Sequence, residues 1–156
     1  MSKILIAYFS HSGTTRRAAE TVQKAVGGKL YEIEPKNAYP ASYNEVLAIA
    51  KKEKESEARP ALKNDPGAEI KAADVVFVGY PLWWYDAPMI IYSFLESASF
   101  KGKRLIPFAT SGGSGLSGSD EKIASIAKTK PEKAYLARFK TDDKELAAWA
   151  AEAIGK

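Results

Sequence analysis

The chain has no cysteine among its 156 residues and only one histidine. Without cysteine there is no disulfide framework, and one histidine leaves little from which to assemble a zinc or iron site. Long apolar runs are missing as well: the N-terminal "MSKILIAYFSHS" turns polar after Phe9, short of a signal-peptide core with its cleavage site, and no other run approaches a membrane span. The reading is a cytoplasmic, soluble protein with no metal and no membrane attachment. An excess of one charge is also lacking. Lys and Arg number 23 against 19 Asp and Glu, and the resulting net charge of +4 is spread along the chain with no basic block or basic-aromatic stripe. Nucleic acid is therefore not an expected partner. The densest charged run, Lys51 to Arg59 ("KKEKESEAR"), mixes signs at spacings that suit a solvated helix face.

What the sequence does have is a regular alternation. Its length fits one domain with its own core, spanning residues 1–156. "KILIAYF" is strand-like, and "TTRRAAETVQKAV" carries apolar residues at helical spacing before Gly27-Gly28 stops it. "KLYEIE" reads as a second strand. "SYNEVLAIAKKEKESEA" reads as a long helix with a capping box of Ser42 and Glu45. Residues 59–73 form a polar connector, and "DVVFVGY" is an apolar strand without alternation, as expected when both faces are covered. "PMIIYSFLES" (helix), "KRLIPFAT" (strand), "SDEKIASIAK" (helix), "KAYLARF" (strand) and "TDDKELAAWAAEAIG" (capped helix) complete five strands and five helices.

Such alternation implies right-handed crossovers and a parallel sheet with helices on both faces, an α/β three-layer α/β/α sandwich. For five strands the order 2-1-3-4-5 places the ends of strands one, three and four side by side, where ligands of open α/β sheets bind. The three unusual loops follow those strands: "SHSGTT" (Ser10 to Thr15), "YPLWWYDAP" (Tyr80 to Pro88) and "TSGGSGLSGS" (Thr110 to Ser119).

In the first loop, hydroxyls surround Gly13 where a helix begins, a combination that suits a phosphate dianion; Ser12 or Thr14 as a plain helix cap is the alternative. The triphosphate motif is missing its lysine, and the dinucleotide motif G-x-G-x-x-G does not occur in this turn. In the second loop, Trp83, Trp84 and Tyr85 run consecutively, and adjacent residues of a regular element cannot all enter one core. A flat ring stacked on an indole accounts for them. The third loop is rich in glycine and serine, which lets backbone approach a ring edge closely.

On "YFSHSGTT", "GYPLWWYDAP" and "PFATSGGSG" at three strand ends, together with "PKNAYPASYNEV" after strand two, the sequence resembles the flavodoxin family, in particular its short-chain bacterial members. The resemblance implies noncovalent FMN. It implies that Ser10, His11, Ser12, Gly13, Thr14 and Thr15 hold the phosphate. Pro81, Leu82, Trp83 and Trp84 then lie along the isoalloxazine, and Thr110, Ser111, Gly112, Gly113 and Gly115 line its pyrimidine edge.

The function so implied is electron transfer between redox partner proteins, with no catalytic side chain. An NAD(P)H-dependent quinone reductase on the same scaffold and a flavin-storing module are the alternatives. The chain is expected as a monomer or a homodimer, the tryptophan rim being the candidate dimer face. Three departures stand out against the resemblance. The chain is basic, with a pI near 9.1, which turns steering toward acidic partners. The second loop has no glycine between Pro81 and Pro88, leaving Asp86 as the residue expected to tolerate a left-handed backbone. Cover for the second flavin face is not evident, with Tyr39 and Tyr43 as candidates that also read as ordinary packing residues.

Overall fold

Three strands carry almost nothing but buried side chains. Ile4–Tyr8 (β1), Val75–Pro81 (β3) and Arg104–Ser111 (β4) are covered on both faces along nearly their whole length. They form the centre of a sheet whose edges are Lys29–Glu32 (β2) and Tyr135–Arg138 (β5). Every pairing is parallel, in the expected order β2-β1-β3-β4-β5. The computed structural model describes residues 3–84, 86–111, 119–138 and 142–155.

Among these residues six helices flank the sheet: Thr14–Val26 (α1), Tyr43–Glu55 (α2), Gly67–Ala72 (α3), Met89–Glu96 (α4), Ser119–Ala127 (α5) and Asp143–Ile154 (α6). The strand period of two divides the core. Leu5, Ala7, Val76, Val78 and Leu105 face α2, α3, α4 and α5, while Ile6, Tyr8, Phe77, Ile106 and Phe108 face α1 and α6. Each large side chain buried this way contributes about 1.5–3 kcal/mol. Trp149 of α6 closes the second core, edge-on to Phe77 at 5.9 Å and stacked on Tyr135 at 4.9 Å.

The register puts Tyr8 opposite Gly79 and Pro81 opposite Thr110, so the carboxyl ends of β1, β3 and β4 meet at one edge. Gly79 is required there: a Cβ at that position would stand 2.3 Å from the Phe108 ring.

The structure departs from the sequence reading in three places. The connector at 59–73 contains α3, whose six residues are too few to show a helical period, and Asp65 accepts the Gly67 N–H at 2.9 Å just before it. The capping box does not form: Ser42 stands extended at the N-cap of α2, but its side chain makes no cap bond. Finally, α2 stops at Glu55 and not at Ala58; the charged run is largely exposed, as expected, but its end is tied down, Arg59 pairing with Glu96 at 3.1 Å and Glu57 with Lys122 at 2.7 Å.

Candidate functional site

β1 hands the chain to the first loop without leaving the sheet, since Phe9 N–H donates to Gly79 O at 3.0 Å. Gly13 then takes φ +96°, a left-handed conformation that glycine adopts freely, and stands at the N-cap of α1. Neither Ser12 nor Thr14 caps that helix. Ser12 Oγ lies 3.3 Å from Thr14 Oγ1, and Gly13 N–H donates to Ser10 Oγ at 3.1 Å. The hydroxyls of Ser10, Ser12 and Thr14 thus gather at a helix start whose first N–H groups have no intrahelical acceptor. A Cβ at Gly13 would meet nothing within 4 Å, so the loop is open on that side of Gly13. This donor set fits an anion.

Two members of the first loop do something more specific. Thr15 is 1 % exposed and its hydroxyl lies 2.8 Å from that of Thr110 in β4, so only its backbone remains for a ligand. His11 lies 2.8 Å from Pro40 O through Nε2. That nitrogen carries the proton and donates to the carbonyl, which leaves Nδ1 as the ring atom available to a bound group.

The second loop is joined to β4 by Leu82 N–H, which donates to Thr110 O at 3.0 Å. Trp83 and Asp86 exchange two backbone hydrogen bonds, of 2.8 and 3.1 Å, closing a tight turn. Among the described residues of this turn Trp84 is left-handed, at φ 54°, and Asp86, for which the sequence suggests it, is not. A side chain in that conformation costs about 1–2 kcal/mol, and α2 supplies the compensation. Trp84 Nε1 donates to Leu47 O at 2.8 Å, Lys54 Nζ donates to Trp84 O, and Lys51 Nζ sits 5.4 Å from the indole centre.

The neighbouring tryptophans have opposite fates. Trp83 is 6 % exposed and meets Phe9, Tyr39 and His11 edge-to-face at 5.3, 5.4 and 6.1 Å. Trp84 is 38 % exposed on the rim. Tyr39 packs on Trp83 and donates its hydroxyl to Glu53 at 2.7 Å, whereas Tyr43 is largely exposed on α2.

Beneath the turn lies a polar cluster that the sequence does not announce. Asp86 is 5 % exposed, and its carboxylate accepts from Ala87 N–H at 2.8 Å, from the Tyr92 hydroxyl at 2.5 Å and from Lys122 Nζ at 3.4 Å. Burial, and then the Asp86 carboxylate, push the Tyr92 hydroxyl well above its ordinary range. Sequence patterns cannot pair Asp86 with Lys122, which lies 36 residues further on in another element.

The sheet edge therefore collects Ser10, His11, Ser12, Gly13, Thr14, Thr15, Pro81, Leu82, Trp83, Trp84, Thr110 and Ser111. Gly112, Gly113, Gly115 and Tyr85 lie outside the described residues. A cavity of about 290 Å³ adjoins the first loop, between Phe9, His11, Ile33 and Tyr39. A larger groove of about 840 Å³ lies at the opposite end of the sheet, around Lys3, Gly28 and Ile154. It contains none of the hydroxyl or aromatic residues above, so chemistry favours the loop edge over size. Among the described residues no cluster of His, Asp and Glu is suited to a metal ion, and no helix is long and apolar enough to cross a membrane.

Comparison with known proteins agrees with this fold. A sequence model described as flavodoxin matches residues 3–153. A solved protein from Bacteroides eggerthii DSM 20697, provisionally named a flavoprotein, is 41% identical over 100% of this chain and 99% of its own, with a TM-score of 0.84. Its counterpart from Bacteroides uniformis ATCC 8492 is 36% identical over 99% of both chains, with a TM-score of 0.86. A flavoprotein from Lactobacillus acidophilus NCFM, solved in complex with FMN, shares the fold at 23% identity, covering 96% of this chain and 99% of its own with a TM-score of 0.72. No curated protein matches the chain. With the family model covering nearly the whole sequence and the sheet order in agreement, the chain belongs to the flavodoxin family.

Proposed function

We propose that this chain binds FMN at the carboxyl ends of β1, β3 and β4 and carries electrons between redox partner proteins. The observation that supports this most is the convergence on Thr110: Thr15 bonds to its hydroxyl and Leu82 to its carbonyl. The hydroxyl-rich first loop and the aromatic second loop therefore share one edge at the switch point of the sheet. The FMN complex of the Lactobacillus acidophilus flavoprotein supports the choice of cofactor.

In this reading Ser10, His11, Ser12, Gly13, Thr14 and the backbone of Thr15 hold the phosphate. Pro81, Leu82, Trp83 and Trp84 border the ring, with Trp84, held by α2, as the indole that has surface to offer and Trp83 packed behind on Phe9, Tyr39 and His11. Thr110, Ser111, Gly112, Gly113 and Gly115 take the pyrimidine edge. FMN supplies one- and two-electron chemistry when bound. The polypeptide orients it, excludes water on the aromatic side and sets the local charge. The net charge of +4 favours encounter with acidic partner surfaces.

The test is reconstitution. Protein supplemented with FMN and freed of excess is expected to hold one FMN per chain and release it on heating. It is also expected to exchange electrons with a reduced carrier protein without sustaining NAD(P)H-quinone turnover. Sustained turnover would replace the carrier with a reductase, and a colourless protein would remove the flavin from the reading.

A further inference from the structure

We infer that the ion pair of buried Asp86 and partly exposed Lys122 is a positioning element of the site, fixing the second loop against α5 and setting the fixed charge at the edge where the flavin is placed. The inference rests on the FMN reading above. Asp86 closes the Trp83–Asp86 turn, and its carboxylate is the acceptor on which Ala87 N–H, the Tyr92 hydroxyl and Lys122 Nζ converge. Lys122 belongs to the first turns of α5, the helix that resumes the described chain after residues 112–118.

A second tether lies beside the first. The buried Tyr80 hydroxyl of β3 is 3.2 Å from Ser119 Oγ at the start of α5. Two contacts of different chemistry thus hold the beginning of α5 to β3 and to the loop that follows it. The pair also reaches outward, because Lys122 Nζ bonds to Glu57 at 2.7 Å and lies 4.7 Å from the centre of the Tyr92 ring. One ammonium therefore joins the segment after α2, the second loop and α4.

A buried carboxylate paired with a lysine is poor evidence for stability, since well-packed apolar residues serve a core equally well. Its charge, by contrast, is felt by any group that gains electrons nearby, because low-dielectric surroundings screen it weakly. Taking negative charge from the site favours the reduced cofactor, and taking positive charge disfavours it. Asp86→Asn and Lys122→Gln are thus expected to move the midpoint potential of bound FMN in opposite directions, upward and downward respectively. In the ratio of affinities for oxidised and reduced FMN, each shift corresponds to about threefold or more. Tyr92→Phe removes a hydrogen-bond donor without changing charge. It is expected to lower the thermal midpoint of the FMN-free protein while leaving the potential nearly in place.

The experiment combines potentiometric titration of the FMN-loaded variants with thermal unfolding of the FMN-free ones, the wild type being measured first. A wild type that takes up no FMN overturns both this inference and the reading it rests on. If the wild type binds FMN, shifts of the same sign in Asp86→Asn and Lys122→Gln, or no shift in either, overturn the inference alone and leave a purely structural pair. Should Asp86→Asn fail to fold, Glu57→Gln replaces it. Glu57 is half exposed, and its variant is expected to raise the potential with the same sign and a smaller size; an unchanged or lowered potential there counts against the inference.

Discussion

The hydroxyls of Thr15 and Thr110 meet 2.8 Å apart across 95 residues of chain, and both side chains are buried. Removing one leaves the other without that partner, at about 1–3 kcal/mol. Thr15→Val and Thr110→Val are each expected to lose stability in that range, while the double variant loses clearly less than the two combined. Urea unfolding of the four proteins measures this, and additive losses would show that the two hydroxyls do not act as a pair.

Trp83 and Trp84 are adjacent in sequence and opposite in burial. Trp83→Ala empties space among Phe9, Tyr39 and His11 and is expected to cost about 3–5 kcal/mol. Trp84→Ala gives up one hydrogen bond and one cation-π contact on the rim, together about 1–2 kcal/mol. Of the two, Trp84→Ala is the variant expected to weaken FMN binding without unfolding the chain. Equal destabilisation by both substitutions would contradict the assignment of one to the core and the other to the rim.

Two glycines are needed for different reasons. Gly13→Ala strains a left-handed backbone but collides with nothing, so about 1–2 kcal/mol is expected. Gly79→Ala drives a methyl into the fully buried Phe108 ring, and about 3 kcal/mol or more is expected. Combining Gly79→Ala with Phe108→Leu should recover part of that loss in chemical denaturation. A double variant no better than the single one would place the strain elsewhere.

Tyr39 and Tyr92 both titrate above the ordinary tyrosine value of 10.0, chiefly through burial and then through the carboxylates of Glu53 and Asp86. The folded state therefore keeps its phenolic protons at a pH where the unfolded chain has begun to lose them. That contribution to stability is complete below pH 10 and declines as pH rises beyond it. Denaturant unfolding between pH 8 and 11 is expected to show a steeper loss for the wild type than for Tyr39→Phe or Tyr92→Phe. Parallel curves would mean that neither phenol titrates differently in the two states.

Sheet order, helix alternation and the edge at which the loops gather could all be read from the sequence, because they follow from periodicity and from the handedness of crossovers. What escaped depends on contacts between distant residues or on very short segments. Helix α3 is too brief to display a period. Ser42 and Glu45 have the spacing of a capping box without its bond, whereas Asp142 at α6 does accept a hydrogen bond from Lys144 N–H at 2.9 Å. Nothing local separates Trp83 from Trp84, since α2 decides which indole stays on the rim. Asp86 reads from the sequence as a turn residue, although its place in the fold is that of a buried acceptor for a tyrosine and a lysine from two helices.

Among the described residues the sheet also tapers: its outermost strands, β2 and β5, are four residues each, against seven and eight for β3 and β4. An unpaired strand edge is the template on which chains add to one another, and short edges offer few groups for that. On the β2 side, Lys29 and Glu32 put charge on the strand, and Arg16 ties Glu32 to α1 at 2.7 Å. The described strands therefore leave little opening for aggregation by strand addition, while Trp84 stays exposed on the rim.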